Sequence, residues 1–428
     1  MPFTRRSLLQ WSLSLGAIPF ANLALSAQAD QTLTPELDSL LDEVERRAYR
    51  YFDEQANPAN GLVKDRARMD GPDTRRTASI AATGFGLTAM CIADQRGYGD
   101  RVGIRARVLT TLRYLAGQAP QEHGFFYHFV NADSGERVRQ SEISSIDTTW
   151  LLCGVLHCKS HFDDLEVQRL AQDILGRVDW VWMLNGQDTL SHGWKPETGF
   201  LPYRWDTYSE LLAMYLLAIG STTYPIPATS WNAWKRPKKT YEGVQFIDAD
   251  TPLFVHQYSH AWFDFRARRD QYADYFENSR LATLAHRKYC QELTSDYSWY
   301  GTEMWGVTAS DSRRGYVAWG SPGSRASPDG TLVPCAAGWS VAFLPRECGA
   351  VLETMLARYG SKVWGRYGFV DAFHPQSQWY DQDVIGIDQG IMLLMAENAR
   401  SGSVWKSVMA TPEAALGMER VGLVAARA

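Results

Sequence analysis

Two carboxylates stand just ahead of apolar helical runs, among aromatic and polar residues. Glu210 closes the loop in "GFLPYRWDTYSELLAMYLLAIGS" (199–221), and Glu142 sits in "RVRQSEISSIDTTWLLCGVL" (137–156). A carboxyl enclosed by aromatics is desolvated, so its pKa rises and it stays protonated near neutrality. Glycoside hydrolysis needs such a general acid, with a second carboxylate that activates water or attacks the sugar. Both residues also have structural readings. Thr207-x-x-Glu210 fits a capping box, and Glu142 reads equally well as an exposed loop acid. Ser144-x-x-Asp147 fits the same box, so Asp147 is assigned to capping, with Glu142 left in the loop before the helix.

A third group lies in "PLFVHQYSHAWFDFR" (252–266). His256 and His260 are four apart, a spacing that two zinc ligands on one helix face can use. No Glu follows His256 and no third ligand is evident, so no metal is assigned. With Gln257, Tyr258, Trp262 and Asp264 the stretch reads better as a hydrogen-bonding sugar subsite. Asp381-x-Asp383 with Gly386 is reminiscent of a calcium loop, but Ile385 stands where an oxygen ligand is required. Asp388, before an apolar run, caps a helix or reaches into a cleft. There is no nucleotide loop and no serine nucleophile elbow, and no cofactor is expected.

These residues need a scaffold. Thr34-Pro35 is an N-cap followed by proline at the first helical position, and Leu37, Leu40, Leu41, Val44, Ala48 and Phe52 follow at helical spacing. Further helices are expected at roughly 78–95, 101–117, 145–161, 164–184, 208–220, 258–267, 270–294, 346–359 and 384–400. Alternating strand patterns are few. Gly- and Pro-rich stretches at 57–62, 185–204, 221–237 and 320–338 separate the helices, and such long loops carry the Trp, Tyr, His and acidic residues. The expectation is an all-α scaffold with a site built on its loops.

The whole chain narrows the function. Its 428 residues are 45% hydrophobic and 21% charged, with a net charge of −5. No basic block is present, which argues against nucleic acid as a partner. No apolar run after the first thirty residues is long enough for a membrane span. The excess lies in aromatics, Trp 16, Tyr 20 and Phe 17. Such rings stack on sugars or fill a large core. Residues 1–29 read as a cleaved leader, with Arg5-Arg6 before an apolar centre and an Ala27-Gln28-Ala29 end. The arginine pair suggests twin-arginine export to a periplasm; a general secretory signal with a chance arginine pair is the alternative. Residues 30–428 are then expected to form one domain. Six cysteines permit disulfides or buried thiols.

The motifs "HGFFYHF", "SEISSIDTTWLLCGV", "GWKPETGFLPYRWDTYSE", "HQYSHAWFDFR", "DYFENSRLATLAHRKYC", "WGVTASD" and "GIDQG" occur in this order. Together they resemble the glycoamylase-like domain of glycoside hydrolase family 144, over about residues 35–400. The resemblance implies an (α/α)6 toroid, a double ring of helices, with long functional loops. It implies hydrolysis of β-1,2-glucan, endo-acting or sophorose-releasing, with inversion at the anomeric carbon. Carried over by motif, Glu142 and Glu210 match the family's catalytic acids. Phe126, Tyr127, Trp194, Trp205, Tyr208, Tyr258, Trp262 and Trp305 become subsite walls. His128, Arg204, His256 and His260 become hydroxyl contacts, and Asp206 and Asp388 complete the substrate-binding set. One departure stands out: an acid of some relatives falls near Arg139 or Gln140. A β-1,2-glucan transglycosylase on the same fold therefore stays open. So do a polysaccharide lyase using Arg204, His256 and Tyr258, and a non-catalytic periplasmic glycan-binding protein needing neither glutamate.

Overall fold

The computed structural model describes residues 33–322 and 326–425. The leader expected at residues 1–29 lies outside the described residues. Ten helices of nine or more residues occur among those described: α1 Pro35–Gln55, α2 Ile80–Arg96, α3 Arg101–Gly117, α4 Ser145–His161, α5 Leu165–Gly176, α6 Leu212–Gly220, α7 Tyr275–Glu292, α8 Pro345–Tyr359, α9 Gly386–Arg400 and α10 Pro412–Arg420.

Burial sorts the helices into two rings. In α2 every residue from Ile80 to Ala93 is buried, and all of α6 is buried. Helices α4 and α9 are likewise buried over most of their length. A helix that is apolar all round belongs in a core, and these form the inner ring. Helices α1, α5 and α8 are amphipathic, with exposed acidic and basic residues on one face. They pack outside as covers: α1 on α9, α5 on α4, and α8 on the short helix Pro334–Gly338. The expected toroid is therefore observed. Its inner ring is completed by the 3₁₀ turns Leu253–His256 and Tyr258–Ala261, where the sequence suggested one helix over 258–267. The expected 164–184 helix is broken at residues 177–179 into α5 and the short Trp180–Leu184.

Glycine sets how closely the inner ring packs. A Cβ on Gly84 would lie 2.2 Å from the Trp150 carbonyl oxygen, and one on Gly154 would lie 2.1 Å from that of Gly84. Helices α2 and α4 thus cross backbone to backbone. Helices α6 and α10 do the same, at Gly220 against the Glu413 carbonyl and Gly417 against that of Leu216. The sequence reading had no helix at 412–420, because the segment is short and only partly apolar.

Short strands feed the inner helices. Thr77–Ser79 runs into α2, Ile143–Ser144 into α4 and Asp383–Ile385 into α9. They pair antiparallel with Phe129–Asn131, Gly193–Lys195 and Arg66–Arg68 respectively. This repeated strand-to-helix step brings three inner-helix N-termini to one end of the ring. Cap side chains mark it: Ser79 Oγ accepts from the Ala82 amide, and Ser144 Oγ from that of Asp147. Thr34 caps α1 as its sequence suggested. All six cysteines are free and buried. Among the described residues, no helix is long and apolar enough to cross a membrane.

Candidate active site

A cleft of about 360 Å³ opens where those N-termini converge. Its lining takes Ala81 from the first turn of α2, Ile146, Asp147 and Trp150 from α4, and Ile387 and Asp388 from α9. Glu210, Tyr258, Trp339, Phe254 and Tyr316 add an acid and an aromatic wall, while Arg66, Arg139 and His128 add positive charge. Helix N-termini carry partial positive charge, which favours carboxylates at this end of the ring.

Glu210 occupies a turn. Helix α6 begins two residues later, its N-cap Leu211 makes no side-chain cap, and Thr207 Oγ1 donates instead to Asp206 Oδ1 at 3.1 Å. The capping-box reading of Glu210 is therefore not realised. Its carbonyl accepts from Ser259 Oγ at 2.7 Å, which fixes the turn. Burial raises the Glu210 carboxyl to about 7, and the Asp147 charge pushes the same way. Glu210 is thus a carboxylic acid near neutrality.

Opposite in character is a chain of three groups. His128 Nδ1 lies 3.1 Å from Glu142 Oε1, and His128 Nε2 lies 3.4 Å from Asp147 Oδ1. The backbone holds them face to face, since the His128 amide donates to the Glu142 carbonyl at 2.9 Å. Ser144 caps α4, accepting from the Asp147 amide, while Asp147 Oδ2 accepts from Ser144 Oγ at 2.5 Å and not from the Ser144 amide that a capping box requires. The other Asp147 oxygen is what reaches His128. The His128 hydrogen bond pulls the Glu142 carboxyl down to about 2, against the opposing effect of burial. Burial disfavours a charged His128, but Asp147 and Glu142 outweigh it and raise its pKa. One carboxyl of the site is therefore held protonated and another ionised.

Asp388 lies in the first turn of α9 with its carboxyl at the cleft. Burial lifts it to about 7, while a hydrogen bond from Asp371 works against the shift. Asp371 itself is raised well above the usual carboxylate range by burial and by Asp388.

Of the residues expected from sequence, the cleft brings together His128, Glu210, Tyr258 and Asp388, with Glu142 behind His128. Tyr127 and Trp194 sit on the strands beside Glu142, where Tyr127 lies under the Arg137 guanidinium and Trp194 pairs with Ile143. They flank the site without lining the cleft. The other aromatics expected as subsite walls are core residues. Phe126 is buried, and Trp262 and Trp305 are wholly so. Trp262 stacks on Trp150 and donates to Thr88 Oγ1 at 2.9 Å. Trp205 donates to Ser145 Oγ at 2.9 Å and stacks on His192. Tyr208 bonds His256 Nδ1 at 3.2 Å, and His260 bonds Ser279 at 3.0 Å, all four buried. Arg204 is spent on the Leu184 and Thr189 carbonyls and the Thr189 hydroxyl. Asp206 is exposed, outside the cleft. For Trp205, Tyr208 and Trp262 the polar tip finds an internal partner, so the ring faces packing instead of sugar.

Sequence reasoning passed over Asp65, Arg66, Trp150, Phe254, Tyr316 and Trp339. The missed signal was positional: the strand-to-helix steps put the first turns of three inner helices at one place. Arg139 and Gln140, at the departure from the family pattern, both adopt left-handed backbone, with φ of 55° and 50°. That turn carries the Arg139 side chain into the cleft lining.

A double ring of helices with a carboxyl-lined aromatic cleft is glycoside hydrolase architecture. The glycoamylase family model matches residues 202–412. The endo-β-1,2-glucanase of Chitinophaga pinensis, solved with sophorotriose and glucose, is 29% identical with a TM-score of 0.83, over 92% of this chain and 99% of that one. A Bacteroides caccae structure described as a putative glucoamylase is 31% identical with a TM-score of 0.83, over 91% of this chain and 100% of that one. The exo-β-1,2-glucooligosaccharide sophorohydrolase of Parabacteroides distasonis is 26% identical over 426 residues, and the match spans 90% of this chain but 58% of that protein. The chain belongs to the glycoamylase-like family, glycoside hydrolase family 144, as its motifs implied.

Proposed function

We propose that this protein is a β-1,2-glucan hydrolase that inverts the anomeric carbon with Glu210 as general acid. The observation that carries the reading is the split in protonation: Glu210 is raised to about 7 while Glu142 is held near 2. Glu210 gives its proton to the glycosidic oxygen as the bond breaks. Water adds to the anomeric carbon from the opposite face, and its proton passes to Asp147, which His128 links to Glu142. Asp147 faces the cleft, and His128 and Glu142 hold it in place. General acid–base catalysis of this kind is worth about 10²–10⁴-fold. The substrate follows from the named β-1,2-glucan specificities of the Chitinophaga and Parabacteroides relatives.

A second reading, transfer of the glycosyl unit to another sugar hydroxyl, is favoured by Arg139. A cation lines the cleft where the family resemblance implies an acid. Chromatography of products from linear β-1,2-glucan over time separates the two. Hydrolysis yields only shorter chains with the α-anomer released first, and transfer yields chains longer than the substrate. Cleavage of starch with no action on β-1,2-glucan overturns both. Twin-arginine export is also proposed, supported by Arg5-Arg6 and the Ala27-Gln28-Ala29 end. Replacing both arginines with lysine should retain the precursor in the cytoplasm, and normal arrival in the periplasm would refute it.

A further inference from the structure

Beneath the cleft lies an acidic group that the proposed reaction does not use. Asp311, Asp371 and Asp381 each offer a carboxylate oxygen, all within 4.8 Å of one another. Asp371 is also within this distance of Asp388 and the Cys335 thiol. Separate loops bring the carboxylates together, and the Asp311 amide donates to Asp371 Oδ2 at 2.6 Å. Arg66 is the cation bound to this group, 2.6 Å from Asp311, and it is shared with Asp65 at 3.3 Å.

Positive charge is therefore short, and so are donors. Apart from the bond between the Asp371 and Asp388 carboxyls, no donor reaches Asp371 Oδ1, Asp381 Oδ2 or Asp388 Oδ2. Asp371 is 2% exposed and Asp388 5%. Buried carboxylate oxygens without partners are costly, and natural sites answer them with a donor or an ion. Asp381 Oδ1 is taken by the Asp383 amide at 3.1 Å, which leaves Oδ2 to point inward. The spacing suits an ion. Three oxygens no more than 4.8 Å apart can be bridged by one hard cation of calcium's size, whose oxygen ligands lie about 2.3–2.6 Å from it. There is also a way in: Asp381 lines an open surface depression with Asp73, Arg75 and Asp383.

We propose that Asp311, Asp371 and Asp381 form a calcium-type divalent cation site between this surface depression and the floor of the cleft. The ion neutralises the carboxylates and ties the loops carrying Asp311 and Asp371 to the strand entering α9. The site is distinct from the motif dismissed in the sequence, because Asp383 does not join Asp381 as a ligand. It does not depend on the catalytic assignment, since its test reads binding and not turnover.

The test uses the full chain stripped with EDTA and titrated with calcium chloride by calorimetry, with melting followed alongside. One saturable site per chain is expected, with a rise in melting temperature that saturates together with the heat. Magnesium should bind at least tenfold more weakly. The partly buried Asp381→Asn variant should fold, melt like the wild type in EDTA and lose at least tenfold in calcium affinity. No binding heat and identical melting in EDTA and calcium would overturn the site and leave the carboxylates held by shared protons. Wild-type calcium affinity in Asp381→Asn would overturn the ligand assignment.

Discussion

Replacing Glu210 with glutamine tests the site from two sides, because one cause predicts both effects. Burial raises the Glu210 carboxyl from an ordinary 4.5 to about 7. The folded chain therefore holds this proton more tightly than the unfolded chain. Below about pH 4.5 both states are protonated and the shift has no effect on stability. Between about 4.5 and 7 only the unfolded chain has lost the proton, so stability falls with rising pH, at about 1.4 kcal/mol per unit. The total reaches about 3 kcal/mol above pH 7 and is constant beyond it. Glutamine keeps the shape and never ionises. Glu210→Gln should thus equal the wild type in stability at pH 4 and exceed it by about 3 kcal/mol at pH 9. A glutamine cannot protonate a leaving group, so the rate on β-1,2-glucan should fall by about 10²–10⁴. In the wild type, kcat/KM should decline on the alkaline side near pH 7, where the acid form disappears. Denaturant unfolding at the two pH values, beside initial rates, measures all three. A variant with near wild-type rate, or one no more stable than the wild type at pH 9, would refute the assignment.

Glu142→Gln should lower the rate by at least about 10². Because His128 depresses the Glu142 carboxyl, its contribution is present above pH 4.5 and lost as the pH falls toward 2. The variant should lose no more than about 2 kcal/mol at pH 7, given partial exposure, and nothing at pH 2. Gly154→Ala should destabilise by about 3 kcal/mol, read from denaturant unfolding, since its Cβ would meet the Gly84 carbonyl oxygen at 2.1 Å. Trp262→Ala should cost about 3–5 kcal/mol as a core deletion. Its KM, measured below the melting range, should stay near wild type; a large KM rise in a stable variant would return Trp262 to the substrate.

Much of the ring was legible because its inner helices carry strong signals. Long apolar segments such as 80–96 and 145–161 are hard to read as anything but buried helices. The two carboxylates stood out by their place before such segments. What failed was the reading of the aromatics. Trp205, Tyr208 and Trp262 sit beside polar residues in sequence, which resembles a sugar-binding loop. Those polar neighbours turned out to lie among residues whose indole and phenol tips are bonded inside the core, as with Trp262 and Thr88. Composition cannot separate a ring that stacks on sugar from one that stacks on another ring. The 3₁₀ turns at 253–261 escaped for a related reason: tight turns have no long periodicity to detect. Asp147 shows the opposite limit. Its spacing suggested a cap, but Ser144 is the cap, and the Asp147 oxygens go to the Ser144 hydroxyl and to His128.

The pairing of α6 with α10 has a consequence for how the molecule is made. Helix α6 is apolar on every side, yet its cover lies some two hundred residues further along the chain. Helix α1 likewise packs on α9, near the far end. A ribosome delivering this chain therefore releases α6 long before α10 can cover it, and the circle stays open at two seams until α9 and α10 have been made. Contacts so distant in sequence form late and slowly. Until then the nascent protein presents a sticky apolar rod to its surroundings, so this architecture depends on being kept apart from its neighbours during birth as much as on its final packing.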